Sequence, residues 1–384
     1  MKVALIGVGQ AGGKVVESLI EYDLKSRGGF VAAAIAVNTA KADLLGLKRI
    51  SERHRVLIGQ YRVKGHGVGA DNELGSVVAT EDMGEVLSVI DDIPLHNVDA
   101  FLIVAGLGGG TGSGGAPVIA RELKRLYTEP VYGLGLLPSP DEGGIYTLNA
   151  ARSFQTFVRE VDNLLVFDND AWRQGGESVQ DSYAEMNEEI ARRLGLLFSS
   201  GEATNGLVPE NVVDASELIN TLGSGGVSTI GYAVAEASRP QGLLARFKTE
   251  EKPDDNATNR VLSVVRRATL GRLSLPCNIE STERALLIVA GRPKHLDRKG
   301  IERGRKWLEA ETGSMEVRGG DYPIADTDHL GAVVLLSGVY DVPRIKELQQ
   351  VAIEAQQNMA DRAEFAPDAL ASLMDTDETI EPLF

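Results

Sequence analysis

Seven of the thirteen residues from Val104 to Ala116 are glycine, and they include the run Gly106-Leu107-Gly108-Gly109-Gly110-Thr111-Gly112-Ser113-Gly114. A segment so poor in side chains is defined by what flanks it. Val98 to Ala105 is apolar and reads as a buried parallel strand. Ala116 to Leu123 reads as a helix with Pro117 in its first turn. Strand, glycine loop and helix together form a phosphate cradle. Glycine lets backbone N–H groups close on the oxygens, and the helix N-terminus adds favourable partial charge.

The surrounding pattern sets the fold class. Strand-like runs at Lys2–Ile6, Val31–Val37, Arg55–Ile58, Ala100–Ala105, Val131–Leu137 and Asn163–Phe167 alternate with helical patterns. The helices fall at Gly12–Tyr22, Glu73–Ser88, Ala116–Tyr127 and Thr147–Val161. This predicts an α/β chain with a doubly wound parallel sheet and ligand loops at the strands' C-terminal ends. A long central helix is expected over Val179–Phe198, and a second helix near Asp214–Leu222. The polar segment Thr249–Asn259 is expected to be an exposed loop. A smaller α/β C-terminal domain follows, with strands at Ala285–Ala290 and Ala332–Val339 and a helix at Arg298–Ala310. The expected division is a nucleotide-binding domain over 1–178, the central helix over 179–200, a loop and helix over 201–239, the C-terminal domain over 240–360, and an acidic disordered tail over 361–384.

Composition excludes several classes. The formal net charge of −16 opposes binding to nucleic acid or an anionic membrane surface. No stretch of eighteen apolar residues occurs, so no membrane span is expected. Cys277 is the only cysteine and Met1 leads straight into a strand, which together predict a cytoplasmic protein. The five histidines have no ligand spacing, so no transition-metal site is expected.

Two further glycine loops narrow the ligand. The first strand ends in Gly7-Val8-Gly9-Gln10-Ala11-Gly12-Gly13, which by itself suggests a dinucleotide fold. That fold places an acid after the second strand, for the ribose hydroxyl; here Asn38-Thr39-Ala40 stand there. Gly65-His66-Gly67-Val68-Gly69-Ala70-Asp71-Asn72 precedes another helix. Three glycine loops suit a nucleoside triphosphate held by backbone, and no G-x-x-x-x-G-K-S/T motif makes it an ordinary P-loop. A nicotinamide- or flavin-dependent oxidoreductase is the rival that the missing acid disfavours.

With these loops the chain resembles the tubulin/FtsZ superfamily, most closely its archaeal CetZ group, over about residues 1–350. The resemblance implies a GTPase that assembles head to tail and uses GTP/GDP with Mg²⁺; which residues hold the metal is left open. It implies that Gly9, Gln10 and Ala11 face the phosphates, with Asn38 in the second nucleotide loop. Gly69, Ala70, Asp71 and Asn72 would sense the γ-phosphate. Gly108 to Gly114 would wrap the phosphates, with Thr111 and Ser113 as hydroxyl donors. Glu142 would meet the ribose, and Asn169, Tyr183 and Asn187 the guanine base. Tyr183 and Asn187 lie four apart, on one helix face.

The same resemblance makes the segment from Asp214 to Leu222 a helix that enters the next subunit. Asp214 and Glu217 share a face there, as an N-cap and its capping-box partner also would. Glu217 is expected to polarise the attacking water, with Asp214 in support. Departures from the family pattern are Gly13 in place of an asparagine and Tyr146 in place of an arginine. The partner implied is a second copy of the chain, together with a protein that binds the tail. The cellular task implied is control of cell shape; the alternatives are FtsZ-like division and a GTP-binding scaffold with little hydrolysis.

Overall fold

A computed structural model describes residues 1–172, 179–202, 209–236 and 253–374. Ten strands form one sheet in the order β3-β2-β1-β4-β5-β6-β7-β10-β8-β9. The first six are β1 (Val3–Val8), β2 (Val31–Asn38), β3 (Arg55–Leu57), β4 (Ala100–Gly106), β5 (Val131–Leu137) and β6 (Asn163–Asp168), all parallel. They match the sequence expectation to within two residues at each end. The C-terminal strands are β7 (Val227–Glu236), β8 (Arg284–Gly291), β9 (Glu316–Pro323) and β10 (His329–Val339), with β10 antiparallel to its neighbours. The sequence reading missed β7 and β9. Both carry glycines and polar residues at positions that the sheet buries, which blurs the alternation a strand is recognised by.

Strand period explains how the two faces fill. In β4, Phe101, Ile103 and Ala105 point to one face; Ala100, Leu102 and Val104 point to the other. Helices α1 (Gly9–Ser26), α2 (Lys41–Leu45), α8 (Asn169–Trp172), α9 (Val179–Ser199) and α10 (Ala215–Leu222) cover the second face. The first face carries α4 (Asn72–Glu81), α5 (Met83–Asp91), α6 (Gly110–Leu126) and α7 (Gly144–Glu160). It also carries α11 (Pro253–Leu270), α12 (Arg298–Thr312) and the start of α13 (Pro343–Met374). The remaining short helix α3 is Gln60–Val63.

Several helix expectations need correction. One helix was expected over Glu73–Ser88, but α4 and α5 break at Asp82, whose carboxylate accepts the Gly59 N–H at 2.6 Å. The loop expected over Thr249–Asn259 is helical from Pro253; 249–252 lie outside the described residues. The tail expected to be disordered from residue 361 is helical to Met374, in a stretch with four alanines among fourteen residues. Residues 375–384 lie outside the described residues.

The largest correction concerns the glycine run. Helix α6 begins at Gly110, six residues before the expected Ala116, so Pro117 lies inside it. Proline has no N–H, which frees the Ser113 carbonyl four residues back. Ser153 on α7 donates its hydroxyl to that carbonyl at 2.8 Å. The helix therefore continues through its proline without a buried unsatisfied group there.

The two halves of the sheet meet lightly. β6 and β7 pair only at Leu164–Val227 and Leu165–Ser228. Beyond that point the segment around Ser274 fills the gap. The Asp168 N–H donates to the Ser274 carbonyl at 2.8 Å, and the Ser274 N–H to Ile230 at 2.9 Å. Among the described residues no helix is long and apolar enough to cross a membrane.

Candidate functional site

The C-terminal ends of β1, β2, β4 and β5 bring the glycine loops to one edge of the sheet. Their contacts are backbone on backbone, because the side chains that would separate them are absent. A Cβ on Gly7 would lie 2.7 Å from the Gly12 carbonyl oxygen, and one on Gly112 2.7 Å from that of Gly106. A Cβ on Gly110 would stand 2.9 Å from Asp71 backbone. Gly9, at φ +74, packs against Gly112. Gly109 differs: its φ is −74, it caps α6, and a Cβ there would meet nothing within 4 Å. The cradle opens at that point.

The second loop joins through hydroxyls. Buried Thr39 and Thr111 share a hydrogen bond of 2.6 Å between their Oγ1 atoms. Only one proton lies between them, so the second stays free to donate. The Ser113 hydroxyl turns back onto the carbonyls of Gly109 and Gly110. Asn38 is buried; its amide donates to Asp43 at 3.1 Å and its oxygen accepts the Ala40 N–H at 3.1 Å. Gly67 N–H donates to the Thr39 carbonyl at 3.2 Å, which fastens the third loop to the second.

That third loop is left-handed at four of its eight residues. Gly65, Gly67 and Gly69 have φ of +80, +82 and +60, and Ala70 has +64. Asp71 ends the turn as the N-cap of α4 and accepts the Leu74 N–H at 2.9 Å. Gln10 and Ala11 are exposed at the start of α1, on the same edge. Glu142 closes a capping box: its Oε1 accepts the Ser139 N–H at 2.8 Å. Asn169 opens α8 directly after β6. Tyr183 is 39% exposed on α9, with Asn187 half-buried one turn on.

One residue that the sequence reading did not single out reaches this edge from the C-terminal half. Arg344 of α13 is mostly buried, its side chain 12% exposed, and its Nη2 donates to the Pro138 carbonyl at 3.0 Å. Its Nε faces Asp168 Oδ1 at 3.5 Å. Burial nevertheless holds the Asp168 carboxyl above the usual range, with Arg344 opposing. Arg344→Ala should cost roughly 3 kcal/mol in urea unfolding, because it strands a buried carboxylate. A folded-state pKa above the unfolded value favours the protonated fold. The deficit should therefore shrink as pH falls through the Asp168 pKa. A deficit that does not change with pH would refute this account.

Asp214 and Glu217 lie elsewhere. Asp214 is the N-cap of α10 and accepts the Glu217 N–H at 2.9 Å and the Ser216 hydroxyl at 2.6 Å. The Ser216 hydroxyl and the Glu217 N–H hold its carboxyl below the ordinary range. Burial, then Asp214, push Glu217 up, against Arg318. The ends of α10 show which edge it occupies. Gly201, just before this segment, packs on Val213 and Asp214, close to where the Met1 ammonium donates to Phe198 at 2.8 Å. At the other end Asn163, the first residue of β6, donates to the carbonyls of Leu222 and Gly225 at 3.0 Å each. Both anchors are at the strands' N-terminal ends, opposite the glycine loops. A six-residue strand separates the edges by roughly 20 Å. One copy therefore does not bring its two carboxylates to its own glycine loops.

Asp321, also unforeseen, clamps the preceding loop. Its carboxylate accepts the Asn211 N–H at 2.6 Å and the Glu210 N–H at 3.1 Å. It is buried in β9, and nothing in local sequence distinguishes it from a surface aspartate. Among the described residues no cluster of three His, Cys, Asp or Glu could hold a metal ion.

Comparisons with known proteins fit this geometry. The GTPase domain of the Tubulin/FtsZ family matches residues 2–176. The C-terminal domain of tubulin-like CetZ matches residues 176–354. The chain is 66% identical to tubulin-like protein CetZ3 of Haloferax volcanii, over the whole of both chains. Among solved structures it is similar to CetZ1 from Haloferax volcanii, a GDP-bound monomer, with 66% identity and a TM-score of 0.83 over 93% of this chain and 100% of that one. It is also similar to CetZ2 of the same organism, a GTPγS-bound protofilament, with 47% identity and a TM-score of 0.84 over 94% and 100%.

Proposed function

Since the chain belongs to the CetZ group of the tubulin/FtsZ family, we propose that it binds GTP at its glycine-loop edge and assembles head to tail. In that arrangement the α10 edge of one copy closes over the nucleotide of the next, and hydrolysis takes place between them. The observation that carries this reading is the placement of Asp214 and Glu217 a strand's length from the loops they would serve. The GTPγS-bound protofilament of the similar CetZ2 supports it.

Each step uses groups already described. Backbone N–H groups at the start of α6 receive the phosphate oxygens, and the free proton of the Thr39–Thr111 pair joins them. Asn169 and Asn187 each offer a donor and an acceptor, which suits a guanine edge, and Tyr183 stacks on the base. Glu142 meets the ribose. Mg²⁺ would be held by the phosphates and water and would neutralise phosphate charge there. Glu217, more basic than an ordinary glutamate, orients the water for in-line attack. Residues 1–178 and the central helix would thus supply the pocket, and 201–239 the group that completes a neighbour's. The cellular task we assign is control of cell shape; arrested division on loss of the chain would reassign it to division.

The test is phosphate release from GTP with Mg²⁺ across protein concentrations, alongside light scattering. The rate per copy should rise together with scattering. A flat rate with bound GTP would place the chemistry within one copy and remove Glu217 from it.

A further inference from the structure

We propose that Asn149 is the positioning residue that sets the preference for GTP over GDP, by holding the tip of the 67–72 loop against the loop that wraps the phosphates. This rests on the reading above, in which the 67–72 loop meets the γ-phosphate.

Asn149 is buried in α7. Its Nδ2 donates to the Ala70 carbonyl at 2.6 Å and to the Gly108 carbonyl at 3.0 Å. Both neighbours are carbonyl oxygens, so the amide nitrogen, with its two protons, must face them. One side chain therefore spans two of the three glycine loops. One turn further along α7, Ser153 holds the Ser113 carbonyl that Pro117 frees. The two residues form a row that fixes α6 and the 67–72 loop to one rigid helix.

The tip needs such a tie. Gly67 is held at one end of the loop by Thr39, and Asp71 at the other by its cap on α4. Between them Gly69 touches nothing within 4 Å of where a Cβ would be. Ala70 sits at φ +64, a conformation that is strained for a non-glycine residue. The Asn149 amide is the side-chain hydrogen bond given to this strained carbonyl. Without it the left-handed turn can relax, and the backbone at Gly69 and Ala70 loses the position from which it would meet a third phosphate. A diphosphate held by the α6 N-terminus and the first loop would not need that tip.

The measurement is binding of GDP and of a non-hydrolysed GTP analogue, below the concentration at which scattering begins. It compares the unaltered chain with Asn149→Ala and Asn149→Ser. Serine keeps a polar group in the interior but is too short to reach both carbonyls, so it serves if alanine does not fold. The ratio of the GDP to the GTP-analogue dissociation constant should fall about tenfold, the loss expected for one buried hydrogen bond. GDP affinity should change less than about twofold. Equal weakening for both nucleotides would make Asn149 a general structural residue and overturn the proposal. An unchanged ratio would do the same. If the unaltered chain bound neither nucleotide, the GTP reading itself would fall, and the two failures are thereby distinguished.

Discussion

Glu217→Ala should lower GTP turnover by at least about 100-fold at protein concentrations that support assembly, with nucleotide affinity unchanged. The size follows from removing the one group assigned to polarise water, and the unchanged affinity follows from geometry. Glu217 sits at the opposite edge of the sheet from its own pocket, so its loss leaves that pocket intact. Asp214→Ala should do less. It removes the N-cap of α10 at a cost of about 1 kcal/mol and loosens the turn that presents Glu217. The acid limb of turnover should lie above the ordinary glutamate range, since burial and Asp214 both raise the Glu217 pKa. Activity should fall as pH drops through that value, because the protonated acid no longer accepts a proton. Phosphate release against pH and against variant checks all three. Near-normal turnover in Glu217→Ala would sink the assignment.

The second large effect separates two glycines in one motif. Gly114→Ala should destabilise the fold by several kcal/mol, because its Cβ would fall inside the contact distance of the Asn72 carbonyl oxygen and lie 2.6 Å from the Ser76 N. Gly109→Ala should leave the thermal midpoint unchanged. Its φ of −74 suits alanine, and its Cβ would meet nothing within 4 Å. That open space is where the phosphates are assigned, so Gly109→Ala should weaken GTP binding tenfold or more. Thermal melts and nucleotide titration of both variants decide it. Normal binding by Gly109→Ala would move the phosphates elsewhere.

What the sequence disclosed follows from which interactions are local. Strands β1, β4, β5 and β6 are buried on both faces, so each is a short apolar run bounded by glycine or polar residues, visible without knowledge of its neighbours. The three glycine loops were legible because close backbone approach in the first loop and the glycine run, and positive φ in the third, favour glycine. The helix start at Gly110 was not. Six glycine, serine and threonine residues in a row have poor helix propensity, and they are helical here because β4, α4 and α7 pack around them. Strand β9 was hidden for a similar reason: Asp321 is buried there only because it holds the Asn211 loop, more than a hundred residues away in the chain. Asn149 and Arg344 were equally silent. Each binds carbonyl oxygens of distant segments, and a carbonyl carries no sequence identity.

The placement of the two functional groups at opposite rims of one sheet has an arithmetic consequence. A linear filament always has one fewer completed site than it has copies. If Glu217 acts across the contact as proposed, the terminal copy whose glycine loops face solvent should keep its triphosphate for want of a neighbour. Short filaments should then be disproportionately quiet, and turnover per copy should report length as well as concentration. Shearing a preparation should slow phosphate release without unfolding any copy, and annealing should restore it.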